Sequence, residues 1–533
     1  MNLKEQLKLS DIALNNKDFA KAKTLLEEVL KEYPDIFELN FKLGIVNNFL
    51  GNLEESLNYY KKSIKLNPNF SPAYCNLGII YEKLNNKDSA IKSYLAAIKI
   101  DPKNSNAHYN LGNTYFNVED LNNAEKHYYF SINFNPNNLY AYNNLLQIYD
   151  RTNNNVKLEK LLEKAKKVFG KNEIINFFEG ISKYKKNNYK EVIKIYEDLK
   201  LDPNDKIKNI VKTNILAKCY DRICMYNEAF KFFEISNNIT KDTYKDKFKK
   251  DNYIKLINTR MDFFLNIKSK IYKNKTLKYD NNTDPIFLVG FPRSGTTLLD
   301  TVLRTHDSIE VIEEKPLIQN LINDINVHIK GNFLNLSKID DEEIKKIRLS
   351  YFNRREKFIS RNKKEIYIDK FPLNIIYIAE INHIFPNAKY ILALRNPYDA
   401  VLSCFMQSFE PNDAMSNFYN LKDASNLYDM VMSLWTKYLE ILDLKTHVIK
   451  YEEIVNNFET SISNVINFLN LKWNNNLKEF NKTAEKRNMI NTPSYNQVNK
   501  PLYTDSIERW KNYNDQLKDI IPKLEKWVTN FKY

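Results

Sequence analysis

The sequence predicts two architectures in series: an α solenoid of helical repeats, then an α/β P-loop-like domain with a parallel sheet. Positions recur at one fixed step through the first half of the chain. After Pro285, short apolar strands alternate with helical segments, and the first strand runs into a glycine-containing turn. A length of 533 residues is too great for one core and agrees with a division into domains. Nine glycines in such a chain also favour helices, which avoid glycine.

The repeat is read from four independent positions. Pro34, Pro68, Pro102 and Pro136 stand one 34-residue step apart. Leu43-Gly44, Leu77-Gly78 and Leu111-Gly112 keep that step, and Leu145 continues it. So do Tyr81, Tyr115 and Tyr149, and the small residues Ala22, Ser56, Ala90 and Ala124. The glycine lets a neighbouring helix approach, the small residue marks the crossing, and the proline opens the turn to the next unit. Fainter copies run from Tyr189 to Pro203 and then through Leu216, Ala217, Tyr220 and Ala229. The pattern resembles a tetratricopeptide-repeat array. The resemblance implies a solenoid over residues 1–240 and a concave surface that holds a protein or peptide. A bracing or self-associating role is the alternative. Residues 241–284 are expected to form a helical linker, and 285–533 the second domain.

Charge and cysteine usage narrow the class. The net charge is +14, with 80 basic against 66 acidic residues spread along the chain. A dispersed basic excess reads first as a Lys- and Asn-rich composition without functional meaning; the functional alternative is an anionic small-molecule substrate drawn to a basic cleft, and nucleic acid is disfavoured. Cys75, Cys219, Cys224 and Cys404 have neither disulfide-like nor zinc-ligand spacing, so buried free thiols and no metal are expected. The N-terminus lacks the apolar stretch of a signal peptide, and no run of apolar residues is long enough to span a membrane. A cytoplasmic protein is the expectation.

The chemistry begins at Ile286–Gly290, an apolar strand. It is followed by the turn Phe291-Pro-Arg-Ser-Gly-Thr-Thr297 and a helix from Leu298. A strand, a glycine turn and a helix N-terminus present main-chain N–H groups and the positive dipole end to an anion. Gly290, Gly295 and Thr297 match the nucleotide-binding pattern G-x-x-x-x-G-K-[ST], but Thr296 replaces its lysine. The loop therefore suits phosphate, and a nucleoside-triphosphate kinase is disfavoured. Further strands are read at 365–369, 389–394 and 446–450. Arg293, Lys370 and Arg395 each follow a strand, which gathers cations at the carboxyl edge of the sheet, where such folds bind ligands.

These motifs resemble those of sulfotransferases, in the form used by the protein-tyrosine sulfotransferase-like branch. Phe291–Thr297 is similar to the 5′-phosphosulfate loop. Arg395 to Ser403, eight residues later, is similar to the 3′-phosphate strand and helix. Asp369-Lys-Phe-Pro372 and Gln497 to Trp510 are similar to two further segments. The resemblance spans about residues 285 to 515 and implies 3′-phosphoadenosine 5′-phosphosulfate as co-substrate, with a hydroxyl acceptor that is a tyrosine, a sugar or a small metabolite. It implies that Arg293 stabilises the departing phosphate and that Ser294, Gly295, Thr296 and Thr297 hold the phosphosulfate. Lys370 and Ser494 would steady the transferring group. Arg395, Ser403, Tyr451 and Arg509 would contact the rest of the nucleotide. The family's glutamate base lies 21 residues after the loop arginine, a position that Glu314 occupies here. Glu313 and His306 receive no role. One departure stands out: the family's second arginine, twelve residues after the first, is Gln407 here. A repeat scaffold with an inactive nucleotide domain is the remaining alternative, against which the retained site residues argue.

Overall fold

The computed structural model describes residues 3–266, 284–359, 364–485 and 506–533. The chain divides into two compact units, Met1–Leu201 and Asp202–Tyr533.

Among the described residues, the first unit is built from twelve helices in six consecutive pairs. They run from α1 (Leu3–Asn15) and α2 (Phe19–Glu32) to α11 (Glu173–Lys185) and α12 (Tyr189–Asp198). The four small residues at the 34-residue step, Ala22, Ser56, Ala90 and Ala124, are all fully buried. The repeated glycines each face a tyrosine sixteen residues later: Gly44 faces Tyr60, Gly78 faces Tyr94 and Gly112 faces Tyr128. A Cβ at Gly78 would lie 2.5 Å from the Tyr94 ring. Those tyrosines share the same step and fill the space that the glycines leave.

The turn within each pair is also periodic. Lys17, Gly51, Asn85, Glu119, Asn153 and Asn187 all adopt positive φ, between 52° and 83°. They stand one repeat apart. The residue after each opens the next helix, and Asp18, Asn86, Asp120 and Asn154 there accept a hydrogen bond from the third backbone N–H beyond them.

The second unit opens with the helices α13 (Lys206–Arg222) and α14 (Tyr226–Tyr244), which continue the paired pattern, and then α15 (Lys250–Asn266). After them comes a five-stranded sheet of β1 (Ile286–Gly290), β2 (Ile309–Glu313), β3 (Ile366–Lys370), β4 (Lys389–Leu394) and β5 (Lys445–Lys450). The order is β2-β3-β1-β4-β5, and every pair is parallel. Central β1 is buried throughout, which is why it reads as an unbroken apolar run. Edge strand β2 escapes the sequence reading. Its Ile309-Glu-Val-Ile-Glu313 pattern is short and half polar, and only a brief period-two alternation signals it.

Of the four thiols, Cys75, Cys219 and Cys404 are buried as expected, whereas Cys224 is exposed. It occupies a positive-φ turn between α13 and α14. Among the described residues, no helix is long and apolar enough to cross a membrane.

Candidate active site

The phosphate-type loop joins β1 to α16 (Thr296–Leu303). Gly290 packs where a Cβ would come within 2.5 Å of the Ala393 carbonyl oxygen on β4. Gly295, at φ 86°, is the residue before α16, and a Cβ there would meet the Tyr451 ring at 2.8 Å. No side chain caps this helix, so its N-terminus can take an anion. Ser294, Thr296 and Thr297 are buried around it.

Three of the cofactor residues expected from sequence interlock with this loop. Arg293 donates from Nε to Ser403 Oγ at 3.0 Å. Arg395 donates from Nη1 to the Arg293 carbonyl at 3.2 Å and lies over the Tyr451 ring, 5.2 Å from its centroid. A second Arg395 nitrogen, Nη2, donates to the Ser506 carbonyl. Its Nε is buried and has no hydrogen-bond partner among the described residues, a donor suited to an anion's oxygen. Ser403 lies on α20 (Pro397–Met406), which starts with Pro397 in its first turn and is held at Cys404 by a thiol hydrogen bond to the Pro292 carbonyl. An uncapped helix N-terminus, a glycine cradle and an unpaired guanidinium N–H together fit an anionic nucleotide end.

The second cluster sits at the ends of β2 and β3. Lys370, the last residue of β3, is fully buried, and its Nζ donates to Glu314 Oε1 at 2.6 Å. Glu313 lies 3.6 Å from the same ammonium. Register explains the grouping: Glu313 is paired with Lys370 across the two strands, and the Glu314 N–H donates to the Lys370 carbonyl at 2.9 Å. Glu314 adopts φ 48°, which turns the chain just beyond the strand. The two carboxylates differ in access, Glu314 being 30% exposed and Glu313 11%. The pair stands at a strand end set against a buried lysine. Because Leu288 pairs with Lys370, both clusters lie on the same sheet edge.

Beside Lys370, the Asp369 carboxyl is pushed up to about 7 by burial, which outweighs the hydrogen bond from Tyr351 Oη at 3.1 Å. Arg509 is ion-paired with Asp221 of α13 at 2.7 Å. Asp221 also accepts from Tyr513 Oη at 2.7 Å. Nothing in the sequence marks Asp221 as a partner of this region. Gln407 ends α20 with its amide donating to the Ser408 carbonyl, as unlike an arginine in the structure as in the sequence. His306 is structural: it accepts from the Ser308 N–H and bonds the Lys472 carbonyl. Ser494 lies outside the described residues.

Residues 285–475 match the profile of the sulfotransferase family. The second unit carries a sulfotransferase-family domain. The first unit carries tetratricopeptide repeats, matched over residues 7–72, 59–92, 83–118 and 105–138. Among curated relatives, an uncharacterized protein of Aquifex aeolicus (strain VF5) is 24% identical over 376 residues, 68% of this chain and 48% of that protein. The chain thus spans about half the length of that relative. Protein-tyrosine sulfotransferase 1 of Danio rerio is 24% identical over 242 residues, 44% of this chain and 67% of the relative. Protein-tyrosine sulfotransferase 1 of Homo sapiens is 24% identical over 280 residues, 48% of this chain and 71% of the relative.

A cavity of about 360 Å³ lies beside the sulfotransferase domain's Glu314–Lys370 pair. Lys315 and Phe371, the residues immediately after that pair, line it, together with the aromatic side chains of Phe248, Tyr253 and Tyr377.

Proposed function

We propose that the second unit moves a sulfuryl group from 3′-phosphoadenosine 5′-phosphosulfate to an acceptor hydroxyl. The observation that carries this reading is the arrangement of an anion cradle and a carboxylate–ammonium pair on one edge of one sheet. In it, the main-chain N–H groups and hydroxyls of Ser294 to Thr297 hold the 5′ end of the donor. Arg395, Ser403 and Arg509 hold the 3′-phosphate end, and Tyr451 packs under the loop. The donor supplies the activated sulfuryl group. Glu314 takes the proton from the acceptor hydroxyl as a sulfur–oxygen bond forms to the acceptor and the one to the 5′-phosphate breaks. Arg293 and Lys370 then offset the charge left on the phosphate oxygen. Ser494 keeps the role that the resemblance implies, to steady the transferring group.

The acceptor is a tyrosyl or similar phenolic hydroxyl. The relatives' names support this, as do the aromatic walls of the cavity beside Glu314. The repeat unit holds a protein or peptide segment. In support, a groove of about 650 Å³ there combines Lys31, Lys62 and Lys65, Glu27 and Asp35 with Leu30, Tyr59 and Leu66, a surface that suits a segment of mixed charge with apolar side chains.

The test is incubation of the full chain with sulfur-labelled donor and tyrosine-containing peptides, with serine peptides and sugars in parallel. Label on the tyrosyl oxygen is expected. Transfer to sugars alone would overturn the acceptor, and ATP–Mg²⁺ raising the melting temperature as much as 3′-phosphoadenosine 5′-phosphate would overturn the donor.

A further inference from the structure

Arg509 opens the short 3₁₀ helix Arg509–Tyr513. Its neighbours in sequence are tied to the elements that carry Arg395 and Ser403. The Ser506 carbonyl accepts from Arg395 Nη2, and the Trp510 N–H donates to Asp399 Oδ1 at 2.9 Å. Asp399 lies about one helical turn before Ser403 on α20. Beside it, the Tyr398 ring packs against Trp510 with centroids 4.8 Å apart.

The last helical pair holds the same segment. Asp221 of α13 binds Arg509 Nη2 through Oδ2 at 2.7 Å and accepts from Tyr513 Oη through Oδ1 at 2.7 Å. On α14, Tyr226 meets the Tyr513 ring in an edge contact at 5.3 Å, and Asn227 Oδ1 accepts from Gln516 at 2.7 Å. Farther along α14, Asn237 donates to the Phe405 carbonyl at 2.9 Å, and Phe230 stacks on Phe405. One helical pair thus grips both the segment that carries Arg509 and the helix that carries Ser403.

Both oxygens of Asp221 are engaged and its side chain is 10% exposed, so it is a fixed anchor. Among the described residues Asp221 is the ionic partner of Arg509, whose side chain stays 29% exposed. The guanidinium is therefore oriented without being enclosed. An arginine ordered before its ligand arrives has already lost its rotamer freedom, which lowers the cost of association. A carboxylate near a phosphate also repels it, so orientation and charge act in opposite directions, and the sign of a mutational effect separates them.

We infer that Asp221 is a positioning residue for the donor's 3′-phosphate. It holds Arg509 in place to meet that group, which makes the last helical pair part of the nucleotide site. The inference rests on the donor proposed above.

The test is calorimetric titration of the full chain, Asp221→Asn, Arg509→Met and the double variant with two probes. These are 3′-phosphoadenosine 5′-phosphate and adenosine 5′-phosphate, which lacks the 3′-phosphate. Arg509→Met should weaken the first by about 10- to 100-fold, the range for a hydrogen bond to a charged group, and spare the second. Asp221→Asn should weaken the first by about 10-fold, the low end of that range, because the cation remains but is no longer held. It too should leave the second nearly unchanged. In the Arg509→Met background Asp221→Asn should add nothing, as for a residue that acts through its partner. Tighter binding of the first probe by Asp221→Asn would overturn the assignment and mark the carboxylate as a competitor for Arg509. So would an unchanged preference for the 3′-phosphorylated nucleotide, equal loss of both probes, or an undiminished effect in the double variant. Absence of any preference in the natural chain would instead overturn the donor reading on which the assignment depends.

Discussion

Lys370 Nζ and Glu314 Oε1 lie 2.6 Å apart at the ends of neighbouring parallel strands, and Glu313 approaches the same ammonium at 3.6 Å. The lysine is fully buried, whereas Glu314 is the more exposed of its two carboxylates. In the proposed reaction the lysine is the fixed cation and Glu314 is the group that meets the acceptor hydroxyl.

Glu314→Gln should lower turnover by about 10²- to 10⁴-fold with nucleotide affinity nearly unchanged, as expected for loss of a general base. Glu313→Gln should cost less, because Glu313 lies deeper and farther from Lys370. Steady-state kinetics with labelled donor, beside nucleotide titration, makes the comparison. A greater loss at Glu313 than at Glu314 would reassign the base.

Asp369 makes stability depend on pH. Its folded pKa of about 7 lies above the unfolded value of about 3.9, so the folded state holds the proton more tightly. The stability this contributes is fully present below about pH 4 and is lost as pH rises through about 7. Asp369→Asn should flatten that part of the profile and raise stability at pH 8 by an amount on the order of a few kcal/mol. Chemical denaturation from pH 5 to 8 measures both effects; a profile that keeps its slope in the variant would assign the dependence elsewhere.

In the repeats, Gly78→Val should destabilise by about 1–3 kcal/mol, because the new side chain collides with the Tyr94 ring. The transition of the second unit and its nucleotide binding should be unaffected. Differential scanning calorimetry with and without nucleotide separates the two. A loss of nucleotide affinity in this variant would show that the repeats and the site are energetically coupled.

The boundary of the second unit is also testable. A chain starting at residue 202 keeps α13 and α14 and should bind nucleotide as the full chain does. One starting near residue 245 loses Asp221, Phe230 and Asn237, which hold Arg509, Tyr513 and Phe405. It should bind more weakly or fail to fold, as nucleotide titration and circular dichroism would show. Equal affinity in the two truncated chains would make the last helical pair dispensable.

Much of the molecule is legible in its sequence. The 34-residue step of prolines, glycines and small residues marks the helix pairs, because each constraint acts between neighbouring helices. The loop from Gly290 to Thr297 is equally plain, since strand, turn and helix N-terminus are contiguous. Tyr60, Tyr94 and Tyr128 and the positive-φ turn residues carry the same period less visibly. The tyrosines stand among many others, and the turn positions accept Lys, Gly, Asn or Glu.

What sequence alone determined, then, was local: the repeat, the loop, and the positions of Arg293, Lys370 and Arg395 after strand-like segments, with Glu314 marked only by its spacing from Arg293. Only the tertiary structure decided which of them meet. Register across β2 and β3 joins Glu313 and Glu314 to Lys370, and α13 brings Asp221 to Arg509 and to Tyr513, 292 residues away. Contacts over such separations leave no periodic or contiguous trace in one sequence, because they depend on how whole helices and strands pack together.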